Sequence, residues 1–253
     1  MKMMQLARKL YKNDFKLILR DRFMIFMFLF VILITFVLRF GLPWFNTYLA
    51  ESGLLPNQKF AMSLADFYPL LVAFFAIFQG ALISGTIFGF AFLDEKDDKT
   101  IKAMLVTPIQ LDHYILYRVI TPAIFAFFVV FAQVLLINQA LIPLWQLFFI
   151  AIGASLTAPI ASLFYAVFAE NKVQGFAMAK IAGVIGWIIL FAWFVPVPSQ
   201  WLFGIFPPFF ISKAYWIALE GNSFWPVALI FGIIAQIGLI ILLAKRFKTL
   251  AYG

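Results

Sequence analysis

The sequence predicts an all-α membrane protein with six transmembrane helices, and three observations support that fold class. Of the 253 residues, 65% are hydrophobic and only 12% are charged, whereas soluble domains have about 45–50% apolar and about 25% charged residues. Several uncharged stretches reach the roughly 20 apolar residues that a membrane-spanning helix needs. The basic residues lie mostly on one side of the predicted spans. A soluble enzyme, a nucleic-acid-binding protein and a disordered chain are therefore excluded, even though the net charge is +8.

An amphipathic helix is predicted before the first span, over residues 3–22. Met4, Ala7, Tyr11, Phe15 and Ile18 recur at three- and four-residue spacing, and basic or polar residues occupy the opposite face. Such a helix suits the headgroup layer, with its basic side towards anionic lipid. A cleavable signal peptide is disfavoured because no small-residue cleavage site follows the apolar run. We therefore predict an interfacial helix over residues 1–22 and a six-span domain over residues 23–253.

The spans follow from the stretches that contain no Asp, Glu, Lys or Arg. The first is extended through Arg39, because an arginine side chain can reach the membrane surface. A stretch of 51 uncharged residues is too long for one helix and breaks at the proline-marked turn 138–143. The predicted spans are about 23–42, 67–93, 115–138, 143–169, 177–196 and 224–244.

The charge distribution predicts the orientation of the spans. An even number of spans places both termini on one side, and that side carries 16 of the 19 Lys and Arg residues. Because cytoplasmic loops are enriched in basic residues, we expect both termini in the cytoplasm. The acidic residues divide 8 inside and 3 outside, so the whole net charge lies on the cytoplasmic side. This positive charge indicates the orientation of the spans and contact with anionic lipid, so we expect no nucleic-acid partner.

The loop between spans two and three joins a charged cluster to a short apolar helix. Thr100 can cap this helix and Pro108 can end it. An apolar helix face on a loop can bind a partner that buries it, or it can fold back onto the spans or the membrane, and the residues alone leave both readings open. The residues assigned to a partner contact are Asp94, Glu95, Lys96, Thr100, Ile101, Met104, Leu105 and Pro108.

This loop, in this topological position, resembles that of the permease subunits of type-2 ATP-binding-cassette (ABC) exporters. Those subunits have six spans, an amphipathic N-terminal helix, cytoplasmic termini and about this length, so the resemblance covers the whole chain. It implies that the short helix is a coupling helix that docks into a separate ATP-binding subunit. The family usually has Gly before the threonine, where this chain has Lys99. The matching residues are Glu95, Lys96, Thr100, Leu105, Val106, Thr107 and Pro108.

Residues 197–222, between spans five and six, form the second point of resemblance. The uncharged stretch 181–212 is longer than one span, and it is interrupted by Pro196, Pro198, Trp201, Pro207 and Pro208. Lys213 and Glu220 are expected near the outer surface. The resemblance implies short re-entrant helices that shape the exit. An ordinary extracellular loop is the alternative, and the many aromatic residues favour re-entry.

Catalytic chemistry is missing from the sequence. The glycine pattern of residues 80–86 lacks the lysine of a phosphate-binding loop and lies inside a span, where Gly85 and Gly89 suit helix packing. His113 has no nucleophile in reach, and no carboxylate occupies a span centre, which disfavours proton coupling. We expect no metal site and no cofactor in this chain, since ATP and magnesium would bind the partner subunit.

Three glutamines, Gln79, Gln133 and Gln236, lie near the middles of spans two, three and six. Amides at this depth often hydrogen-bond between helices, which is the favoured interpretation, and lining of a transport pathway is the alternative.

Taken with the resemblance, these features predict the permease of a bacterial ABC exporter in the cytoplasmic membrane. It would work as a homodimer or heterodimer of permeases with separate ATP-binding subunits, moving a drug, lipid or antimicrobial peptide outward. The alternative is a non-transporting membrane scaffold or immunity subunit that binds a cytoplasmic partner.

Overall fold

The computed structural model describes residues 11, 14–52, 63–98 and 111–252. Those residues are almost entirely helical and include no strand, so the all-α prediction is confirmed. Residues 99–110 lie outside the described residues, and with them the predicted coupling positions Thr100, Ile101, Met104, Leu105 and Pro108. Of the predicted interfacial helix, residues 14–20 are described and are helical. Its treatment as a separate domain stays a prediction.

Within the described ranges, six helices are long and apolar enough to cross a membrane, as the sequence predicted. Spans 1 and 2 are longer than predicted: span 1 continues nine residues past Leu42, and span 2 starts at Leu64 and continues to Asp97. The spans, numbered 1 to 6 in chain order, are Arg22–Glu51, Leu64–Asp97, Leu111–Ile137, Leu144–Phe168, Lys172–Trp193 and Trp225–Leu250.

Four of the spans are not regular α-helices throughout. Spans 1 and 2 contain π-helical segments, at Val37–Gly41 and Ala73–Gln79. Span 4 consists of helices Leu144–Ser155 and Thr157–Phe168, and the break has a local cause, because Pro159 has no N–H to donate to the carbonyl of Ser155. Span 5 similarly divides into Lys172–Ile185 and Trp187–Trp193.

Spans 2 and 4 form the centre of the bundle. About 78% of the apolar segment of span 2 is buried inside the protein, compared with 22% for span 1. Close packing requires small residues here: a Cβ at Gly85 would collide with the backbone of Ala158, and one at Gly89 would collide with the Tyr165 ring. The predicted use of this glycine pair as a packing surface is confirmed.

The segment between spans 5 and 6 is packed against the bundle. It contains helix Val197–Gln200, a 3-10 turn Trp201–Ile205 and a longer helix Pro208–Leu219, which we call the loop helix. The Tyr215 hydroxyl donates to the carbonyl of Ala140 at 2.6 Å, and the Trp216 indole donates to the carbonyl of Pro69 at 3.2 Å. These contacts fix the loop helix against the start of span 2 and the turn between spans 3 and 4. Its re-entry into the membrane stays a prediction.

Lys213, on the loop helix, differs from expectation, because the structure buries it to 4% exposure. Its ammonium donates to Gln200 Oε1 at 2.5 Å. Burial lowers the pKa of Lys213, and Glu220 partly opposes that shift. The sequence counted this residue as an outer-surface charge, but folding of the 197–222 segment covers it.

Candidate functional site

The candidate site lies at the end of span 2 and the start of span 3, and its centre is the buried guanidinium of Arg118. We call Asp14, Glu95, Tyr114, Tyr117 and Arg118 the basal cluster. Arg118 is 1% exposed, and a buried charge is tolerated only when it is paired and hydrogen-bonded. Arginine suits the position because it stays charged and presents five donors in a rigid fork. The residue therefore needs several partners, and three different helices supply them.

Two carboxylates pair with Arg118 from two other helices. Nη1 lies 3.1 Å from Oδ2 of Asp14, on the helix of residues 14–20, and Nη2 lies 2.5 Å from Oε2 of Glu95, near the end of span 2. Both carboxylates are as buried as the arginine. The basal cluster therefore joins the N-terminal helix, span 2 and span 3 through charges that are removed from water.

Aromatic side chains complete the basal cluster. Tyr114 donates its hydroxyl to Glu95 at 2.6 Å and accepts from Nε of Arg118 at 3.1 Å. Tyr117 donates to Oδ2 of Asp14 at 2.7 Å, and the Phe92 ring centre lies 5.3 Å from the guanidinium carbon. Tyr114 and Arg118 are four residues apart on span 3, so one turn of helix places both on the same face.

The basal cluster holds two carboxylates and one guanidinium, so its formal charge is −1 when both acids are ionised. Burial raises the pKa of Asp14 above its ordinary value, while Arg118 and the Tyr117 hydroxyl lower it. The other carboxylate oxygen of Asp14, Oδ1, is buried and has no hydrogen-bond partner among the described residues. Nη2 of Arg118 also makes no hydrogen bond of acceptable geometry, although it lies close to Glu95. The basal cluster therefore contains one carboxylate oxygen and one guanidinium nitrogen that are not fully satisfied.

A second charged group lies close by and is centred on Lys172, at the start of span 5. Its ammonium is 2.5 Å from Oδ2 of Asp21 and 2.7 Å from Oδ1 of Asp94. Asp21 also caps span 1 by accepting from the backbone N–H groups of Phe23 and Met24. Burial acts to raise the pKa of Asp21, but the hydrogen bonds from Lys172, Met24 and Phe23 lower it overall. One lysine thus ties spans 1, 2 and 5 together.

Lys96 makes the remaining connection, to the end of span 4. Its ammonium donates to the carbonyls of Ala166 and Ala169 at 3.0 and 2.7 Å. The last carbonyls of a helix lack partners within the helix, and a cation at this terminus is favourable. The three charged residues predicted at the end of span 2, Asp94, Glu95 and Lys96, therefore each bind a different helix. Their assignment to a contact with an ATP-binding subunit stays a prediction.

Most residues of this site were not predicted from the sequence. Arg118 and Lys172 entered only as charges that indicate orientation, and Tyr114 and Tyr117 were not considered. One signal was available: Asp14 lies three residues after Tyr11 and four before Ile18, which puts a carboxylate on the apolar face of the predicted N-terminal helix. A charge on such a face indicates a buried partner, although the sequence does not say which one.

The three glutamines do not converge on one place. Gln236 is fully buried, donates to the carbonyl of Gly153 at 3.0 Å and accepts from Thr157 at 2.9 Å, so it joins spans 6 and 4. Gln133 instead lies between spans 1 and 3, with Nε2 at 3.5 Å from the carbonyl of Val31. Gln79 is half-buried in the π-helical segment of span 2. The contacts of Gln236 match the interhelical role, and lining of a pathway stays a prediction for all three.

No group of three His, Asp or Glu side chains that could hold a metal ion occurs among residues 11, 14–52, 63–98 and 111–252. His113 is half-buried at the start of span 3. The charges of the site are organised as ion pairs between helices.

Comparison with known proteins shows a relationship over most of the chain. The family model described as "Fluoroquinolones export permease protein Rv2686c-like" matches residues 14–244. Two similar relatives are the fluoroquinolones export permease proteins Rv2686c and MT2760 of Mycobacterium tuberculosis, from strains ATCC 25618 / H37Rv and CDC 1551 / Oshkosh. Each is 26% identical over 242 residues, which cover 94% of this chain and 92% of the relative. No solved structure matches the chain significantly.

Proposed function

The chain belongs to the Rv2686c-like family of fluoroquinolone export permeases, and we propose that it moves an amphiphilic aromatic drug outward with energy from a separate ATP-binding subunit. Membership makes it a multi-pass membrane permease of the type-2 ABC exporter class. The names of the relatives direct the substrate proposal to fluoroquinolones. A drug of this kind suits a protein whose 253 residues include 34 Phe.

The observation that supports ATP-driven work is the position of the buried ion pairs relative to residues 99–110. This segment connects the end of span 2 to the start of span 3, so any force on it acts directly on those two ends. Glu95 and Arg118 hold the two ends together, and Asp14 adds the N-terminal helix. Movement of the segment would therefore shift these helices as one group, since breaking the pairs would leave buried charges unpaired.

We assign the docking of the ATP-binding subunit to the apolar positions Ile101, Met104 and Leu105, between Thr100 and Pro108. The charged end of span 2 would pass the force on, because it is fixed to spans 5, 3 and 4 by Asp94, Glu95 and Lys96 respectively. ATP and magnesium would bind the ATP-binding subunit, and closure of that subunit would push residues 99–110.

The working assembly in this proposal has two permease copies, either identical or related, and two ATP-binding subunits in a bacterial cytoplasmic membrane. Both termini would lie in the cytoplasm. The helix of residues 14–20 would rest at the membrane interface, held to the bundle by Asp14.

Affinity purification from native membranes tests the partner. The wild-type protein should retain an ATP-binding-cassette chain, and Met104→Asp combined with Leu105→Asp should release it and raise fluoroquinolone accumulation in cells. A matched control places the same two charges in an exposed turn at the other end of the bundle, Asn222→Asp with Ser223→Asp, and should retain both properties. An ATPase that stays bound to the first variant would contradict the docking assignment. A bound partner that is not an ATPase, together with unchanged efflux, would favour the scaffold function instead.

Labelling of single cysteines tests the orientation, because the chain has no native cysteine. Asn57→Cys should react with a membrane-impermeant maleimide in intact cells, whereas Asp98→Cys should react only after permeabilisation. The reverse pattern would place residues 99–110 outside the cell, where no ATP-binding subunit could reach them.

A further inference from the structure

A groove of about 730 Å³ lies between spans 1 and 3. This volume is in the range of small-molecule sites, about 300–1,000 Å³. Both helices line it with aromatic rings, Phe28, Phe36 and Phe40 from span 1 and Phe125 and Phe128 from span 3. Aromatic walls favour a ligand that carries an aromatic ring, since stacked or edge-on ring pairs contribute beyond the area they bury.

A buried amide lies behind the groove, at Gln133 on span 3. Gln133 borders the groove and is 4% exposed. Its Oε1 has no hydrogen-bond partner among the described residues, and its Nε2 makes only a long contact of 3.5 Å to the carbonyl of Val31. An unpaired buried acceptor is costly. This oxygen lies against Gly80 of span 2, where a Cβ would collide with it, so it is covered by span 2. The amide therefore packs behind the groove, and a polar contact to a ligand must come from another residue.

A cation marks one end of the groove. Arg39 is half-buried there; Nη1 donates to the carbonyl of Leu136 at 3.3 Å, and the guanidinium carbon lies 5.7 Å from the Phe40 ring centre. No ion pair to a carboxylate is found for Arg39 within the described part of the chain, so its remaining donors are available to an anion. The planar guanidinium matches a carboxylate in a two-point contact.

The local backbone of span 1 is irregular at the same place. Arg39 is the middle residue of the π-helical segment Val37–Gly41, in which Leu42 donates to the carbonyl of Val37. Single π-helical turns are rare and occur often at functional sites. The irregular turn and the cation therefore coincide in one groove.

We propose that this groove binds the exported molecule, which would be an aromatic amphiphile with a carboxylate; the site presupposes the proposed function and locates its substrate. The ring system lies among the phenylalanines, and the carboxylate pairs with Arg39. The groove opens between two helices towards the surrounding membrane, so an amphiphile already dissolved in the bilayer can reach it directly.

Binding of a fluoroquinolone to the purified protein in phosphatidylcholine nanodiscs tests the charge contact. Arg39→Gln should weaken binding of the free acid about tenfold, the effect of losing one partly buried charge-assisted contact. The methyl ester should bind wild type and Arg39→Gln equally, because it has no carboxylate to lose. Arg246→Gln is the matched control, since Arg246 also lies over a phenylalanine ring, that of Phe168 on another part of the bundle. It should leave both affinities unchanged.

Filling the groove tests the location independently of charge. Ala132→Trp places an indole in the groove and should reduce binding of the acid and the ester alike. Ile124→Trp is the control, because Ile124 is on the same span and exposed but is not part of the groove, and it should bind as wild type does.

Several results would overturn the site. Unchanged affinity for the free acid in both Arg39→Gln and Ala132→Trp would exclude drug binding in the groove. Displacement of the drug by phosphatidylglycerol, with equal loss of the acid and the ester, would show that the groove is a lipid site. A change of oligomeric state in Ala132→Trp with unchanged affinity would make it an interface between copies. In each case export that still depends on Met104 and Leu105 would leave the proposed function standing. Absence of both fluoroquinolone binding and export in the wild type would overturn both.

Discussion

Replacing Arg118 with methionine should destabilise the protein more than other substitutions of its charged residues. The change removes the cation that pairs with Asp14 and Glu95, whose side chains are only 2% and 3% exposed. Each carboxylate would keep one tyrosine hydroxyl, from Tyr117 and Tyr114 respectively. Neither hydroxyl carries a charge, so two buried acids would face each other without a counterion.

The expected loss is about 3–5 kcal/mol in the free energy of unfolding, the range found when one partner of a buried pair is removed. Natural proteins are stable by only about 5–15 kcal/mol, so the variant should fold but unfold much more readily. For a chain of this length about 1 kcal/mol corresponds to about 2–4 °C in Tm. A decrease of about 6–20 °C is therefore expected.

Denaturant titration and thermal unfolding in detergent micelles measure this loss, and two further variants identify its cause. Arg118→Lys keeps the charge but loses the fork geometry, so it should fall between wild type and Arg118→Met. The triple variant Asp14→Asn, Glu95→Gln, Arg118→Met removes all three charges and keeps acceptors for both tyrosines. It should recover to within about 1 kcal/mol of wild type, because a neutral replacement of a buried ion pair is often tolerated.

Either of two outcomes would contradict a stabilising role for the buried ion pairs. A loss below about 1 kcal/mol in Arg118→Met would mean that the cation is not buried and paired as described. A triple variant no more stable than the single one would mean that packing of the arginine stem, and not charge, is the main contribution. Arg246→Met, at an exposed position, is the control and should change little.

Three other substitutions test separate parts of the structure. Asp21→Asn should cost about 0.5–1 kcal/mol at neutral pH, because the pair with Lys172 is partly exposed while the helix cap is kept. The pKa of Asp21 in the folded protein lies below the ordinary 3.8, so this stability is present above pH 3.8 and is lost as the pH falls through the lower pKa. The denaturation midpoints of wild type and variant should therefore converge on acidification. A difference between the midpoints that stays constant with pH would exclude the ionic contribution. Gly85→Ala should lose about 1–3 kcal/mol through collision with span 4, whereas Gly238→Ala, with open space around its Cα, should be neutral in the same unfolding assay. Gln236→Leu should cost about 1–2 kcal/mol by breaking two buried hydrogen bonds without altering the ratio in which two fluoroquinolones are exported; a changed ratio would assign it to the pathway.

The span pattern was predictable because it depends on local composition. Twenty apolar residues in succession identify a membrane-crossing helix wherever the helix ends up, and the turn at 138–143 was visible from its proline and polar residues. Span ends were less accurate, since span 1 runs on through Trp44 and Tyr48 to Glu51. Aromatic residues of this kind are common at membrane interfaces, and a count of uncharged residues does not show whether the helix continues past the bilayer core.

The candidate site was predictable only in part. The charged end of span 2 was singled out at Asp94, Glu95 and Lys96, and the structure shows that each of these binds another helix. The partners on those helices were not found, because Arg118 and Lys172 look like ordinary cytoplasmic charges in the sequence. The groove was missed for a similar reason: Arg39 and Gln133 are 94 positions apart, and only packing of spans 1 and 3 brings them to one cavity.

Contact of a partner with the segment between spans 2 and 3 stays a prediction from the family resemblance. The sequence by itself determined that this is a six-span helical membrane protein whose basic residues lie mostly on one side of the spans. Those properties follow from hydropathy and charge, which each residue has regardless of its surroundings. Only the tertiary structure decided which charges are buried and with whom they pair. Asp14 and Arg118 are 104 residues apart, and they meet because the N-terminal helix packs against span 3. A hydropathy profile scores Arg118 identically whether it faces lipid headgroups or two buried carboxylates, so this choice belongs to the packing of the helices.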